Sequence, residues 1–84
     1  MNNKLKFNYW SQERIKQGRK ICTSRESKHL DDSVWLILEL PLKIVRDYLW
    51  KQEGADSPEE FENVWRDIKG SFEEDKIVFV HFFR

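Results

Sequence analysis

The sequence is poor in the residues that cross-link a fold or bind metals, and in the long hydrophobic runs that cross membranes. It has one cysteine, Cys22, so no disulfide can form within the chain. Cys22 together with His29 and His81 falls short of a zinc ligand set, and we expect no metal and no cofactor. No hydrophobic run is long enough to span a bilayer, and the N-terminus has no apolar signal core. These absences predict a cytoplasmic protein without a membrane partner.

Glycine and proline are also scarce, with three and two residues respectively, and the chain has no repeat, linker or low-complexity stretch. Splitting 84 residues would leave each half too little apolar surface to offset the entropy of ordering it. We therefore predict one domain over residues 1–84. Because 39% of the residues are hydrophobic and 14% aromatic, with four Trp and six Phe, we expect an aromatic-rich core.

The formal net charge is zero, which argues against a surface that is basic throughout. The charges are nevertheless unevenly distributed. Residues 1–30 carry eight Lys or Arg against two acids, and residues 31–84 carry seven against thirteen. A fold that keeps the N-terminal cations together would have one electropositive surface.

The first half of the chain alternates between helix and strand patterns. Ser11 is a candidate cap for a helix near residues 8–17, which Gly18 would end in a left-handed conformation. Residues 20–25 have the small and β-branched composition of a short strand. Residues 34–40 (VWLILEL) are almost continuously apolar, which predicts a central strand covered on both faces.

The second half begins with a helix that Pro41 opens and that runs to about Glu53. A further helix starts at Ser57, the first residue of a capping box, and ends at Gly70. Residues 76–84 have the aromatic and β-branched content of a final strand. With an N-terminal strand or arm, this order predicts an α+β fold whose small mixed or antiparallel sheet curls into a partial barrel.

Two motifs carry a resemblance to a known family. Residues 14–25 (RIKQGRKICTSR) resemble the N-terminal signature of ASCH domains, a helix ending in Gly-x-Lys followed by Thr-x-Arg. Residues 52–61 (QEGADSPEEF), followed by Trp65, resemble the family pattern Glu-Gly-x-x-Ser-x-Glu-Glu-Phe and Trp, and residues 78–83 resemble its closing strand. The resemblance covers most of the chain and implies a small PUA-like partial β-barrel with flanking helices.

The resemblance also implies a function. ASCH domains have a cleft between barrel and helices that is thought to receive RNA or nucleotides, and some members are amidohydrolases acting on N(4)-acetylcytidine. The catalytic positions of those members fall here on Lys20, Thr23 and Glu53. Lys20 acts as a base only when neutral, and it must lie in the turn before the strand, because residues three apart on a regular strand face opposite ways.

The chain departs from the family in one place. Only residues 26–33 (ESKHLDDS) separate the Thr-x-Arg motif from the next strand, where family members carry a longer stretch. One or two strands of the barrel are then missing, which leaves an exposed edge, a shallower cleft or a site completed by a second copy. Three hypotheses follow: an RNA- or nucleotide-binding domain, an amidohydrolase, and a partner-binding module or homo-oligomer that uses the exposed edge.

Cations and aromatic residues of the basic half are the candidate ligand contacts. The candidate phosphate contacts are Arg14, Arg19, Lys20, Arg25 and Lys28. The candidates for stacking on an unpaired base are Tyr9, Trp10 and Trp50. Trp35 and Trp65 lie on apolar runs and are expected in the core, and His81 is expected to be a buried histidine with satisfied hydrogen bonds.

Overall fold

The structure, a computed structural model, describes residues 5–84. These residues form, in chain order, α1 (Tyr9–Lys16), β1 (Cys22–Arg25), β2 (Val34–Pro41), α2 (Leu42–Tyr48), α3 (Pro58–Lys69) and β3 (Ile77–Phe83). The predicted α+β class is confirmed. The predicted N-terminal strand or arm falls partly on residues 1–4, which lie outside the described residues, and residues 5–8 have no regular secondary structure.

The sheet has the strand order β1-β3-β2, and β3 pairs antiparallel with both neighbours. The prediction that residues 34–40 form a central strand was therefore wrong: β2 is an edge strand and β3 is central. An apolar run indicates side chains that can be buried, but it does not specify how many neighbouring strands form hydrogen bonds with it. Within the described residues the sheet is open, because β1 and β2 do not pair with each other.

The start of α1 also differs from the prediction. The helix is capped by Asn8, whose side chain accepts a hydrogen bond from the backbone N–H of Ser11 at 2.9 Å. Ser11 itself lies inside the first turn. Gly18 follows the helix with φ +72°, so the predicted left-handed ending is confirmed.

α2 ends at Tyr48, earlier than the predicted end near Glu53. The chain then turns, with Glu53 N–H donating to Leu49 O at 2.9 Å and Gly54 N–H donating to Lys51 O at 3.0 Å. These turns return the chain to the start of β1, where Glu53 forms an isolated antiparallel bridge with a residue before that strand. A helix continued to Glu53 would not make this return.

The capping box at the start of α3 is present. Ser57 Oγ accepts from Glu60 N–H at 3.1 Å, and Gly70 ends the helix with φ +88°. The Glu60 carboxylate accepts from Asp56 N–H at 2.9 Å rather than from the cap residue itself. The local sequence therefore determines both ends of this helix.

The hydrophobic core lies between the sheet and the layer formed by α2 and α3. Its buried members are Cys22, Leu42, Val45, Ala55, Phe61, Trp65, Val78 and Val80. Trp65 is a core residue as predicted, but Trp35 is 55% exposed on the edge strand, so its predicted burial was wrong. None of the helices in residues 5–84 is long and apolar enough to cross a membrane.

Candidate functional site

A cavity of about 310 Å³ lies between the β1 side of the sheet and the helices α1 and α3. Its polar floor is formed by Lys20, Thr23, Ser24 and Glu53. Its walls include Phe7, Trp10, Phe61, Val64, Trp65 and Ile68. The three residues that the ASCH resemblance singles out, Lys20, Thr23 and Glu53, thus line one cavity.

The centre of the floor is a buried ion pair. Lys20 and Glu53 are only 4% and 3% exposed, and Lys20 Nζ lies 3.0 Å from Glu53 Oε1. The same ammonium donates to the backbone carbonyl of Glu53 at 3.0 Å. Ser24 Oγ donates to Glu53 Oε2 at 2.6 Å, so both carboxylate oxygens are held. The carboxylate therefore has a fixed orientation in the cavity.

Backbone turns place this pair. Lys20 lies before β1 begins, as the sequence required for Lys20 and Thr23 to face one site, and it bridges to Glu53. Gly54 follows Glu53 with φ +96°, and a Cβ on Gly54 would lie 2.9 Å from Lys20 Cβ and 3.1 Å from Arg14 Cβ. Gly54 is required both for its backbone conformation and for this close approach.

Thr23 and Ser24 reach the cavity from opposite faces of β1. Successive side chains of a strand point to opposite faces, so a cavity lined by both must wrap around the edge of the strand. Thr23 Oγ1 accepts a long hydrogen bond, 3.5 Å, from Arg25 Nε. The Thr23 hydroxyl proton remains available to a ligand.

Arg25 is the second predicted cation that lines the cavity. Its guanidinium donates to Lys6 O at 2.6 Å and lies 5.3 Å from the centre of the Phe7 ring. Burial lowers the pKa of Arg25 from its ordinary value, and the charge of Glu53 opposes this shift. An arginine stays protonated in proteins, so Arg25 brings a fixed positive charge to the cavity.

The other predicted cations lie outside the cavity. The Arg14 guanidinium lies 4.2 Å from the centre of the Trp10 ring and donates from Nε to Gly54 O at 3.1 Å. Arg14 therefore packs against a cavity residue without lining the cavity itself. Lys28 lies 5.7 Å from the centre of the Phe79 ring. Of the five predicted cations, only Lys20 and Arg25 therefore line the cavity.

Arg19 lies in a second, more open groove of about 520 Å³ and forms an ion pair with Asp56. Trp50, one of the predicted stacking residues, lines the same groove, whereas Trp10 lines the cavity. Tyr9 is exposed and lines neither. The structure thus separates two groups of residues that the sequence treated as one surface.

Ser24 is the polar contact that sequence reasoning missed. It shares a face of β1 with the buried Cys22, and a hydroxyl on an inward face requires a hydrogen-bond partner. That requirement was readable from the sequence, but the identity of the partner, Glu53, was not. The aromatic walls were missed for a related reason, because Trp65 is at once a core residue and a cavity wall.

Cys22 and His81, two residues with potentially reactive side chains, are both fully buried. Cys22 is fully buried, and its burial, followed by the charge of Glu53, raises the pKa of the thiol, so it stays protonated. His81 is also fully buried: Nε2 accepts from His29 N–H at 2.9 Å, and Nδ1 lies 2.9 Å from Phe79 O. The prediction of a buried, satisfied histidine is confirmed. In residues 5–84 no three His, Cys, Asp or Glu side chains come together as metal ligands.

No protein-family model, curated protein or solved structure matches this chain. The ASCH resemblance therefore stays a prediction that rests on the two motifs, and the function has to be argued from the cavity.

Proposed function

We propose that this chain is an RNA- or nucleotide-binding domain of the ASCH type, whose cavity receives an unpaired base or a modified nucleoside. The observation that carries the proposal is a cavity with aromatic walls and a floor of buried, oriented polar groups. In this reading the walls hold the flat faces of a base, and the floor contacts its polar edge.

The size of the cavity fits a small ligand. Sites for organic ligands generally span about 300–1,000 Å³, and this cavity, at about 310 Å³, lies at the lower limit. Trp10 and Trp65 offer the ring surfaces on which a base stacks, worth about 1–3 kcal/mol per base. One base or nucleoside is therefore the expected occupant, and a duplex is not.

The floor offers both donors and acceptors. A lysine ammonium has three N–H donors, and two of those of Lys20 go to Glu53, which leaves one for a ligand among the described contacts. The Thr23 hydroxyl and the Arg25 guanidinium add further donors. The Glu53 carboxylate can also accept from an exocyclic amino group, because each of its oxygens has a second lone pair.

The burial of the Lys20–Glu53 pair also supports a functional role. Removing two charges from water costs about as much as their attraction returns, so a buried ion pair is poor evidence for stability. An oriented pair in the floor of a cavity is instead a means of presenting charge to a ligand. We expect ligand contacts from Lys20, Thr23 and Glu53, and phosphate contacts from Arg25.

The direct test is a fluorescence titration with a single-stranded RNA oligonucleotide, because a base in the cavity lies near Trp10 and Trp65 and changes their emission. Repeated at several salt concentrations, the log–log plot of affinity against salt should have a slope of roughly −0.7 per phosphate contact. About two to four contacts should give a shallow total slope. Arg25→Ala should weaken binding and flatten the slope by about 0.7.

The matched control is Arg66→Ala, which removes an exposed arginine paired with Glu62 outside the cavity. It should leave affinity and slope unchanged. Double-stranded RNA should compete poorly, because its bases are not free to enter the cavity. If single-stranded RNA and free nucleosides fail to bind at low salt, or if Arg25→Ala and Arg66→Ala behave alike, the proposal is wrong.

A second candidate is an amidohydrolase that cleaves N(4)-acetylcytidine with water to give cytidine and acetate. It is favoured by one observation: Lys20, Thr23 and Glu53 line a single cavity. The 3.0 Å ion pair weighs against it, because the pair favours the ammonium form of Lys20, which has no lone pair with which to take a proton from Thr23. Glu53 would then bind the cytosine edge or orient the water.

Deacetylation of N(4)-acetylcytidine by the folded wild type tests this candidate. Lys20→Ala and Lys20→Arg should both remove nearly all turnover, because a guanidinium keeps the charge but cannot act as a base. Thr23→Ala should remove it as well, since the nucleophile is lost. The absence of turnover in the wild type, or equal turnover in Lys20→Arg, excludes the enzyme and leaves the binding function untouched.

A further inference from the structure

The charges that line the cavity do not balance. One acidic side chain, Glu53, lines it, together with the cationic side chains of Lys6, Lys20, Arg25 and Lys69. The charge of Lys20 is matched by Glu53. Lys69 forms an ion pair at 2.7 Å with Glu26, which lies outside the cavity. The excess positive charge of the cavity therefore comes from Lys6 and Arg25.

Neither of these two cations has a counter-charge. Among the described residues, no carboxylate forms an ion pair with Lys6 or Arg25. The charge of Glu53 acts on Arg25, but the two Glu53 oxygens are held by Lys20 and Ser24. Charges that are partly removed from water are generally paired, because burial without a partner costs free energy. The half-buried Arg25 guanidinium therefore lacks the anion that its burial favours.

Local contacts hold Arg25 in position without occupying all its donors. Nη2 donates to Lys6 O at 2.6 Å, and Nε donates to Thr23 Oγ1 at 3.5 Å. The guanidinium also lies 5.3 Å from the centre of the Phe7 ring. A guanidinium has five N–H donors, and the two hydrogen bonds leave three of them for a ligand. Arg25 is thus both oriented and available.

Lys6 and Thr23 add donors beside this guanidinium. The Lys6 backbone contacts Arg25 directly, and the exposed Lys6 side chain lines the same cavity. Thr23 lies two residues before Arg25 on β1, so their side chains share a face of the strand. An ammonium, a guanidinium and a hydroxyl are therefore grouped in one part of the cavity lining.

We infer that Lys6, Thr23 and Arg25 form a phosphate subsite, so that the ligand of the cavity is a nucleotide rather than a free nucleoside. This inference rests on the proposed function and specifies its class of ligand. The oxygens of one phosphate group can accept from all three side chains, and hydrogen bonds between charged groups are the stronger ones. At about 310 Å³ the cavity is at the lower limit for an organic ligand, so the phosphate belongs to the nucleoside that the aromatic walls hold.

The test compares the common ribonucleosides with their 5′-monophosphates by calorimetric titration of the full chain at low salt. For the base that binds best, the monophosphate should bind about tenfold more tightly than the nucleoside, which is the effect of one charge-assisted hydrogen bond. Lys6→Ala should remove most of this preference and leave nucleoside affinity unchanged, because the Lys6 side chain contacts only the phosphate. Arg25→Ala should also remove it.

The matched control is Lys16→Ala, which removes the same charge from a side chain that is 73% exposed and outside the cavity. It should leave the affinities for nucleoside and monophosphate unchanged. Circular dichroism establishes that the variants are folded. Lys6→Ala decides the question if Arg25→Ala does not fold, because the described residues give the Lys6 side chain no hydrogen bond or ion pair to lose.

A dinucleotide with a single internal phosphate identifies the source of the phosphate. Tighter binding of the dinucleotide than of the monophosphate assigns the subsite to an RNA strand, and the reverse order assigns it to a free nucleotide; either supports the inference if Lys6→Ala weakens the tighter ligand. Equal affinities for nucleoside and monophosphate, or equal effects of Lys6→Ala and Lys16→Ala, overturn the inference and leave the proposed function standing. If nucleosides, nucleotides and RNA all fail to bind, both are wrong.

Discussion

The two edges of the sheet differ in chemistry. The β1 edge lies against a cavity and is occupied by buried polar groups, among them the Lys20–Glu53 pair and Ser24. The β2 edge is apolar, and Trp35, Leu36 and Leu38 remain exposed on it. Polar residues are buried at the β1 edge, and apolar residues are exposed at the β2 edge.

This contrast is informative, because a buried ion pair is weak evidence for stability and an exposed apolar cluster buries little surface. Buried polar groups are maintained only where each has a partner, and here Glu53 is held by Lys20 and Ser24. Exposed apolar clusters generally mark interaction surfaces. The proposed ligand therefore belongs to the β1 side, where the buried polar groups line the cavity.

The largest expected effect separates two tryptophans, one on each side. Trp65→Ala should destabilise the protein by about 3–5 kcal/mol, because it leaves a void in the core beneath the cavity. Trp35→Ala should cost about 1 kcal/mol or less, since this side chain is mostly exposed on β2. Urea denaturation measures both free energies of unfolding, and equal midpoints would contradict the assignment of Trp65 to the core and Trp35 to the surface.

The next prediction concerns the buried ion pair. Glu53→Gln should cost about 3–5 kcal/mol, because it leaves the Lys20 ammonium buried without a counter-charge. Glu26→Gln breaks an exposed pair of salt bridges to Lys69 and Lys76 and should cost much less. The double variant Lys20→Met with Glu53→Leu should be more stable than Glu53→Gln alone. If the double variant is the least stable, the Lys20–Glu53 pair stabilises the fold, and its burial no longer supports a role in ligand binding.

A smaller difference is expected between two glycines with positive φ. Gly54→Ala and Gly70→Ala both incur left-handed strain of about 1–2 kcal/mol. A methyl group at Gly54 also meets Lys20 Cβ at 2.9 Å, whereas nothing lies within 4 Å at Gly70. Gly54→Ala should therefore be the less stable by about 1 kcal/mol or more, and it alone should weaken RNA binding. Thermal unfolding and the RNA titration check the two parts separately.

The smallest effect lies between the edges, at His81, whose register partners are Thr23 on β1 and Ile37 on β2. Burial lowers the pKa of His81 below 6.5, so above that pH the ring is neutral in the folded and the unfolded chain. As the pH falls below 6.5, the unfolded chain gains the proton first, and stability should decrease by at most about 1.4 kcal/mol per pH unit.

His81→Leu should flatten stability against pH between 6.5 and about 5, and His29→Ala should not, because it keeps the backbone N–H that His81 accepts. Below pH 4.5 a second loss is expected in both variants, since Lys69 and Lys76 hold the pKa of Glu26 at about 2. Urea midpoints across this pH range distinguish the two groups. A slope that survives in His81→Leu would assign the dependence to another residue.

The parts of the fold that were predictable from sequence are those with local causes. The capping box at Ser57, the ending at Gly70 and the strand character of residues 77–83 depend on neighbours within a few positions. The earlier helix end at Tyr48 was not predictable in this way, because it depends on a bridge between Lys20 and Glu53. The same distinction explains Ser24, whose partner is distant in the sequence.

The sequence by itself determined the α+β class, the helix signals around α3 and the residue types available for a site, because propensity, capping and periodicity act over one or two turns of chain. The tertiary structure alone decided that β3 lies between β1 and β2, which leaves the apolar run of residues 34–40 at an edge. It also decided that Lys20 and Arg25 reach the cavity while Arg19 does not. Strand order and side-chain convergence depend on contacts between distant residues, and no local pattern encodes which of the available pairings has the lowest free energy.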